Sequence, residues 1–353
     1  MKIILDCMGS DNAPQAQVLG ACEALEEYGD LRLVLVGDQE AMKEAAGDRW
    51  DDLSGSDMAD RVEFVQTSEV ITMEDPALSV VRTKTDSSMA IALHMLKNDD
   101  GDALVSAGNT GALHAGSSLI VRRIKGVKRS AIASILPFQK PLLLIDSGAN
   151  LEVDAEQMHQ FGMMGSIYME RLFGCSPATV GLLNVGTEAT KGSKNLLDAY
   201  ALLDGDPDIS FVGNVEGKTV PLGSCDVLVT DGFSGNVLLK MSEGLSKFIL
   251  SEIKDCFMAN PVTKLSALAL KPRLSGLKES FDASSYGGAP LLGLSKPVIK
   301  AHGSSDPKAI RNAIRYAAEF AKQDVIFEIS ERIRLAEEKA AAEPAPEETG
   351  TEQ

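Results

Sequence analysis

Five short stretches rich in glycine, asparagine and aspartate are the part of this sequence best suited to bind a charged ligand. Glycine lets backbone N–H groups approach a ligand closely, and the first turn of a helix favours an anion. A single turn of this kind is more often only a tight connection between two elements. Because all five follow strand-like runs, we predict one shared polar cleft, formed by SAGNTGAL (106–113), DSGAN (146–150), NVGTEATKG (184–192), GNVEG (213–217) and DGFSGN (231–236).

The N-terminal segment MKIILDCMGSDNAP has the same form. Its apolar run ends at Asp6, and small polar residues then lead into a helix that Pro14 opens. Ligands of α/β proteins usually bind where a strand passes into a helix. We therefore expect Asp6, Gly9 and Asp11 at the rim of the cleft, with a plain βα turn and an aspartate cap as the alternative.

Three side chains in or beside these turns have the chemistry of a catalytic group. Lys191 stands at the start of a predicted helix, where a cation is unfavourable unless it meets an anion. In a cleft it would neutralise a phosphate or an oxyanion, whereas outside one it is a solvated surface lysine. His302 in KAHGSSD suits either catalysis or capping. The Cys7 thiol is a nucleophile by type, but a small buried residue at a strand end is the better interpretation.

Motifs of nucleotide and metal sites are missing from the sequence. No G-x-G-x-x-G follows the first strand, and no G-x-x-x-x-G-K-[ST] is present. The four histidines are far apart, and no carboxylate pairs recur at the spacing of metal ligands. The pattern therefore supports neither a dinucleotide site, nor a P-loop, nor a metal centre.

The composition is that of a globular protein with an acidic surface. The 353 residues are 44% apolar and 24% charged, and the net charge of −17 argues against a nucleic-acid partner. We find no run of eighteen apolar residues and no signal-peptide pattern, and the five cysteines are scattered without a C-x-x-C pair. These features predict a cytoplasmic protein without a disulfide framework.

Strand-like and helix-like runs alternate along most of the chain. The alternation predicts a doubly wound α/β fold, a mostly parallel sheet with helices on both faces. We expect one α/β domain, 1–334, with a protruding helical hairpin, 238–278, and a disordered acidic tail, 335–353, that carries six glutamates and one lysine. Long helical stretches are predicted at roughly 235–257, 262–278 and 306–338, crossover helices at 154–173 and 190–203, and strands at 31–37, 61–67, 102–108, 131–137, 142–146, 179–186, 209–214 and 226–232.

Eight motifs occur in the order seen in the PlsX-type phosphate acyltransferases, and the chain resembles that family over about residues 1–325. One such motif would be weak, but eight in one order are specific. The resemblance implies the doubly wound fold of phosphate acetyltransferases and isocitrate dehydrogenases, a homodimer, and no metal or organic cofactor. The motifs are DCMGSDNAP, SAGNTGAL, LLLIDSGAN, LLNVGTEATKG, FVGNVEG, DVLVTDGFSGNVLLK, YGGAPLLGL and VIKAHGSSD.

The same resemblance implies an enzyme that transfers a long acyl chain from acyl carrier protein (ACP) to inorganic phosphate. Its acyl phosphate product would serve the first acylation of glycerol 3-phosphate in bacterial phospholipid synthesis. Phosphate itself would be the nucleophile, so the protein would orient it and stabilise the oxyanion. The alternatives are a short-chain phosphate acyltransferase that uses coenzyme A, and a non-catalytic acyl-ACP sensor or membrane scaffold.

The candidate site residues come from these motifs. Gly108, Asn109, Thr110 and Gly111 are expected to bind phosphate, with Lys191 as the charge partner. Asn236 and His302 are candidates for polarising the carbonyl or protonating the leaving thiolate. The other predicted substrate-binding residues are Asp6, Gly9, Asp11, Asn150, Glu188, Asn214, Glu216 and Asp231.

The first motif departs from the usual pattern of the family, which has alanine and glycine where this chain has Cys7 and Ser10. Ser10 is the stricter test, because a turn that needs a positive φ would be strained by a β-carbon. We therefore expect either an ordinary φ at Ser10 or a shifted loop.

Two surface segments are candidates for contacts with partners. The basic run RRIKGVKR (122–129) is the densest candidate docking site for the acidic ACP, with a solvated helix end as the alternative. Apolar positions between Leu245 and Phe257 predict a helix with one apolar face. The resemblance to the family implies that this face forms the dimer core. The following tip, 257–270, is predicted to bind anionic membranes weakly and reversibly.

Overall fold

Eleven strands form one sheet in the computed structural model, which describes residues 1–55, 58–264, 266, 267, 270 and 286–342. Most strands are continuous apolar runs, as in β2, where every residue from Leu33 to Gly37 is buried. Such runs are typical of strands that are covered on both faces. The strands are β1 Lys2–Asp6, β2 Arg32–Gly37, β3 Val62–Gln66, β4 Ala103–Ser106, β5 Ala131–Pro137, β6 Pro141–Ile145, β7 Thr179–Asn184, β8 Ser210–Glu216, β9 Val227–Val229, β10 Ala289–Leu292 and β11 Val298–Lys300.

The sheet has the order β3-β2-β1-β4-β11-β10-β5-β6-β9-β7-β8. Neighbours from β3 to β11 are parallel, and so are neighbours from β6 to β8. Strands β10 and β5, each antiparallel to its neighbours, join these two sets. The mostly parallel sheet is confirmed, and so are the nine predicted strands, which are the N-terminal run and the eight ranges given above. Two short strands, β10 and β11, were missed because four and three residues carry little periodicity.

Helices cover both faces of the sheet. Ile3 and Leu5 of β1 belong to one buried apolar cluster and Ile4 to another, so alternate side chains of the strand enter different cores. Both predicted crossover helices are confirmed, as α7 and α8. The helices are α1 Gln15–Glu27, α2 Gln39–Ala46, α3 Arg49–Gly55, α4 Ser79–Arg82, α5 Ser88–Lys97, α6 Thr110–Gly116, α7 Ala155–Phe173, α8 Lys194–Gly205, α9 Gly232–Met258, α10 Pro307–Lys322 and α11 Val325–Ala342.

The C-terminal helices correct two expectations. The stretch predicted as one helix over 306–338 is two helices, and Asp324 between them has φ 53°. Helix α11 continues to Ala342, so the predicted boundary of the tail at residue 335 was wrong and falls inside a helix. A run of alanines, glutamates and a lysine favours helix and extends α11 past that point. Residues 343–353 lie outside the described part of the chain.

Helix α9 forms the first limb of the predicted hairpin. It is 27 residues long, yet Gly232 and Gly235 are its only buried residues. After Ala259 the chain turns at Asn260, whose side chain accepts hydrogen bonds from the N–H groups of Val262 (3.0 Å) and Thr263 (3.0 Å). This is the geometry of an N-cap. Most of the second predicted limb, 262–278, falls outside the described residues.

Candidate active site

Three adjacent parallel strands end in register on Asp6, Ser106 and Lys300. Asp6 of β1 pairs with Ser106 of β4, and Lys300 of β11 pairs with the same serine on its other side. Residues in register on neighbouring strands point to the same face of a sheet and lie about 4.8 Å apart. An acid, a hydroxyl and a cation therefore form a row across the carboxyl ends of β1, β4 and β11.

The Asp6 carboxylate lies beneath the surface, with 1% of the residue exposed. Its Oδ1 accepts a hydrogen bond from the Ser88 hydroxyl (2.6 Å), and its Oδ2 accepts one from the Ser106 hydroxyl (2.7 Å). Burial raises the pKa of Asp6, and these two hydrogen bonds oppose the rise. The predicted substrate contact of Asp6 does not fit this position, because its oxygens are occupied by buried hydroxyls.

Lys300 is the cation of this row, and we did not select it from the sequence. Its Nζ donates to the main-chain carbonyl of Ala107 (3.3 Å) and to that of Ala301. Burial lowers the pKa of Lys300 to about 8, while the charge of Asp6 acts in the opposite direction. A bound anion would stabilise the charged form of this desolvated ammonium. In the sequence Lys300 is visible only as a lysine that ends an apolar run, as in PVIKAHG, and this pattern does not indicate which strands lie beside it.

Glycines allow the loops beside this row to pack closely. Gly9 has φ +75°, and a β-carbon there would lie 2.3 Å from the carbonyl oxygen of Ile71. At Gly108 a β-carbon would lie 2.8 Å from the Met89 Cε and 3.5 Å from the Asp6 Oδ2. Ser10 is not among the residues with positive φ, so the first of our two expectations for it is met. Its Oγ accepts a hydrogen bond from the Gln17 Nε2 (2.7 Å).

Asn109, Thr110 and Gly111 begin helix α6 directly after β4. The Asn109 Oδ1 accepts from the Ala112 N–H (3.0 Å), and its Nδ2 donates to carbonyls of the 72–75 loop, including that of Asp75 (3.1 Å). The asparagine side chain therefore caps the helix and holds a neighbouring loop. Thr110 and Gly111 are exposed, and their backbone N–H groups belong to the first turn, where a helix favours an anion.

His302 and Asp11 lie on two loops that are joined by hydrogen bonds. The Asp11 N–H donates to the Gly303 carbonyl (3.0 Å). The Ser304 N–H donates to the His302 Nδ1 (3.2 Å), so a neutral ring carries its proton on Nε2. Partial burial lowers the pKa of His302, and Lys240 and Lys300 lower it further.

Helix α9 connects this row to the loop after β6. Asn236 faces Gly148, whose β-carbon, if present, would lie 3.5 Å from the Asn236 Oδ1. One turn later on the same helix, Lys240 acts electrostatically on both His302 and Lys300. Three of the five predicted turns therefore lie near Lys300. The turns 106–113 and 231–236 are next to it along β4 and α9, and the turn 146–150 lies beside Asn236 of α9.

The loop after β6 is organised by Asp146, which the sequence did not single out. Its carboxylate accepts from the N–H groups of Gly148 (3.0 Å), Ala149 (2.9 Å) and Asn150 (2.7 Å). The Asn150 side chain is buried and donates to Asp146 and to the Ser130 carbonyl (2.8 Å). Buried and bonded in this way, Asn150 supports the loop.

Asp231 caps helix α9. Its side chain accepts from the N–H (2.7 Å) and the hydroxyl (3.0 Å) of Ser234. Asp231 also lines an open depression of ≈ 550 Å³, whose other walls are Leu151, Glu152, Val153, Met158, Asn195, Phe233 and Ser234.

The remaining predicted residues group around the ends of β7 and β8. The Asn214 Oδ1 accepts from Asn184 (3.1 Å), and its Nδ2 donates to the Glu188 carbonyl (2.8 Å), so Asn214 holds the loop that carries Lys191. The Lys191 side chain is 50% exposed, and its Nζ lies 4.0 Å from the Glu188 Oε1. Glu216 pairs with Lys218 (2.7 Å). This group belongs to the opposite half of the sheet from Lys300 and adjoins the depression through Asn195.

The described residues offer neither a cysteine nucleophile in this region nor a cluster of metal-binding side chains. Cys7 is fully buried, and burial raises the pKa of its thiol, which fits the interpretation as a small core residue. Within the described residues we find no group of three or more His, Cys, Asp or Glu that could hold a metal ion. None of the described helices combines the length and apolar character needed to cross a bilayer.

Comparison with known proteins places these features in a family. The model of the fatty acid synthesis protein family matches residues 1–328. The phosphate acyltransferase of Caldanaerobacter subterraneus is 41% identical over 95% of this chain and 98% of its own length. That of Brevibacillus brevis is 44% identical over 92% and 95%.

Solved structures confirm the fold. A phosphotransacetylase from Streptococcus pyogenes superposes with a TM-score of 0.62 at 16% identity, over 91% of this chain and 94% of its own. A branched-chain phosphotransacylase from Enterococcus faecalis gives 0.54 at 15% identity, over 92% and 99%. The expected likeness to the phosphate acetyltransferase fold is therefore correct. By its sequence, from the first strand to the last helices, the chain belongs to the fatty acid synthesis protein family, which is that of the PlsX-type phosphate acyltransferases.

Proposed function

We propose that this protein transfers an acyl chain from the thioester of acyl-ACP to inorganic phosphate, releasing acyl phosphate and free ACP. Its family and its relatives are those of phosphate acyltransferases, whose product serves phospholipid synthesis. The observation that carries the proposal is the Lys300 ammonium, supported by Asp6 and placed beside the glycine-rich turn after β4. This is an anion site without a side-chain nucleophile.

Phosphate is the nucleophile in this scheme. Its oxygen attacks the thioester carbonyl and forms a new C–O bond, and collapse of the tetrahedral oxyanion breaks the C–S bond. The protein must hold phosphate in line with the carbonyl and stabilise the oxyanion. The buried Cys7 thiol, with its raised pKa, suits no covalent role, which supports direct attack.

We place phosphate between Lys300 and the first turn of α6. Lys300 supplies the positive charge, and the backbone N–H groups of the exposed residues Thr110 and Gly111 are the proposed donors for phosphate oxygens. Gly108 keeps the loop close to the strand ends, and Asn109 fixes the start of the helix. Asp6 acts through Lys300 and Ser106, so it is a positioning residue.

His302 and Asn236 are the proposed donors to the reacting carbonyl. The hydrogen bond from the Ser304 N–H to Nδ1 leaves the Nε2–H of neutral His302 free to polarise the carbonyl oxygen. The leaving thiolate then takes a proton from solvent or from this ring. Asn236, one turn before Lys240, is the second candidate donor on the α9 side. We keep Lys191 as a second cation, because its Nζ has only a long contact to Glu188.

The surface of α9 supports two further proposals, a homodimer and a weak association with membranes. Val237, Met241, Leu245 and Phe248 recur at helical spacing and are 46–63% exposed in the single chain. A second copy would cover this face. Met258 and Val262, near the tip, are 52% and 75% exposed and suit a lipid surface. With these contacts the protein would work at the cytoplasmic face of the membrane.

One assay tests the central proposal. Purified protein is incubated with acyl-ACP and phosphate, and acyl phosphate is trapped with hydroxylamine as its hydroxamate. We expect hydroxamate that depends on phosphate and on long-chain acyl-ACP, and that is unaffected by EDTA. Faster turnover of acetyl-coenzyme A would favour the short-chain enzyme instead. Tight binding of acyl-ACP without any turnover would favour a sensor.

A further inference from the structure

We infer that the loop Arg122–Arg129 is the docking surface for the acidic carrier protein that delivers the acyl thioester. The inference rests on the proposed function and adds the place of contact. All five basic residues of the loop are exposed, although the chain as a whole carries a net charge of −17. A local patch of opposite sign is what an acidic partner needs to approach an acidic protein.

Most of this positive charge is not neutralised by neighbouring acids. Lys128 pairs with Glu156 of α7, and Arg123 donates to the Lys128 carbonyl. Arg122, Arg123, Lys125 and Arg129 form no ion pair with an acid among the described residues. Four cations are therefore available to carboxylates of a partner, and Arg123 is the one that a main-chain carbonyl also holds.

The backbone of the loop is held in place by buried side chains and hydrogen bonds. Its two apolar residues, Ile124 and Val127, are 6% and 5% exposed and point into the core. The Ile124 N–H donates to the Gly293 carbonyl (3.0 Å), and Gln160 bonds both the Lys128 N–H (2.8 Å) and the Gly126 carbonyl (2.9 Å). The backbone of such a loop loses little conformational entropy on binding, so the remaining entropic cost is that of ordering its exposed side chains.

The patch borders the candidate active site. Ser130, the next residue, accepts hydrogen bonds at its carbonyl from Asn150 (2.8 Å) and lies within hydrogen-bond distance of His114. Arg129 and Arg123 act electrostatically on the His114 ring, which is carried by the helix that starts at Thr110. A carrier bound here would present its flexible arm at the loop after β6.

An acidic protein fits this surface better than a membrane does. A membrane contact needs several apolar side chains beside the basic ones, whereas both apolar residues of the loop are buried. One exposed leucine, Leu119, lies one turn before Arg122 and is 57% exposed. A single apolar contact surrounded by charges resembles a small protein interface.

The test reverses the three cations of the loop that form neither an ion pair nor the carbonyl contact of Arg123, as Arg122→Glu, Lys125→Glu and Arg129→Glu in one variant. Its matched control reverses three exposed cations elsewhere, Arg32, Lys43 and Lys308, with the same change in net charge. Both are assayed with palmitoyl-ACP and with palmitoyl-pantetheine, which carries the same thioester without the protein. We expect the KM for palmitoyl-ACP to rise at least about tenfold in the first variant alone. The KM for palmitoyl-pantetheine should stay within about twofold in every protein.

Each outcome decides the inference. An unchanged KM for palmitoyl-ACP in a folded variant overturns it, as does an equal rise in the control. A rise for both thioesters places the residues in the catalytic site and also overturns it. Loss of binding to anionic vesicles with an unchanged KM for palmitoyl-ACP would assign the loop to the membrane. Turnover of neither thioester by the wild type would refute the proposed function itself, which is a distinguishable result.

Discussion

Asp6 and Lys300 end two strands that flank β4, and both pair in register with its last residue, Ser106. Ser106 donates to the Asp6 Oδ2 (2.7 Å), and the Lys300 Nζ bonds to the carbonyl of the following Ala107. Asp6 and Lys300 are thus both bonded to the end of β4, and their opposite charges interact across this strand. This arrangement keeps a partly buried ammonium at the carboxyl ends of three strands, the usual place for ligands in α/β folds.

Lys300→Met should abolish most of the activity without unfolding the protein. Loss of one preorganised charge at a developing anion typically lowers the rate by ~10²–10³. Because a desolvated ammonium is costly in the absence of a ligand, we expect the variant to melt at the wild-type temperature or above. Hydroxamate formation and thermal melting measure the two effects. A variant with more than about half the wild-type rate would remove Lys300 from the site.

The value of kcat/KM for phosphate should fall at alkaline pH. Lys300 is charged below its pKa of about 8 and loses its proton above it, so the free enzyme loses affinity for an anion as the pH rises through that value. Above the pKa we expect a decrease of ~10-fold per pH unit. Phosphate is already mostly dianionic there and cannot cause the decrease.

Two variants control this pH profile. Lys300→Arg keeps its charge at every pH in the range, so the decrease should disappear. Asp6→Asn removes the charge that favours protonated Lys300, so the decrease should begin at a lower pH. A profile that is the same in all three proteins would contradict the assignment.

Local pattern was enough to predict most of the sheet but not this row. Apolar runs bounded by turn residues identify β2 or β9 because burial on both faces leaves that signature in the sequence. Lys300 reaches its site through a hydrogen bond to Ala107, 193 residues away, and no local pattern encodes such a register.

Several polar turn residues were recognised from the sequence, yet their side chains cap helices and hold loops. They are Asn109, Asn150, Asn214 and Asp231. Sequence alone does not separate these uses from ligand contact, because both need the same hydrogen-bonding groups.

We expect Lys191→Met to lower the rate by ~10²–10³, because we propose Lys191 as a second cation in addition to Lys300. From Asp231 to Lys240 the helix rises about 14 Å, a length that an extended acyl thioester spans. Glu188→Gln is the matched control, because it removes the partner of Lys191 and keeps its ammonium. Near-normal rates in Lys191→Met would show that Lys191 is a solvated surface residue and that the β7–α8 loop lies outside the site.

The exposed face of α9 should form the dimer contact. Leu245 and Phe248 are 46% and 60% exposed in the single chain. The double variant Leu245→Glu, Phe248→Glu would place two like-charged pairs in a symmetric apolar interface. We expect the wild type to sediment at twice the chain mass and the variant at the chain mass. Leu222→Glu, at a residue 70% exposed on another surface, should remain dimeric. A dimeric double variant would place the contact elsewhere.

The tip of α9 should bind anionic membranes independently of the dimer contact. The sequence placed this contact at 257–270, of which Leu265 and Leu268 lie outside the described residues, so the test uses Met258 and Val262. Each apolar side chain of this size contributes ~1.5–3 kcal/mol when it is removed from water, before the cost of ordering. Met258→Glu, Val262→Glu should therefore lose most of its co-sedimentation with phosphatidylglycerol vesicles while remaining a dimer. Added salt should weaken wild-type binding, because nearby basic residues such as Lys264 attract the anionic surface. The tip would be excluded as a membrane contact if the variant and the wild type sedimented equally with the vesicles, or if neither did. Its apolar residues would then be assigned to the assembly of the dimer.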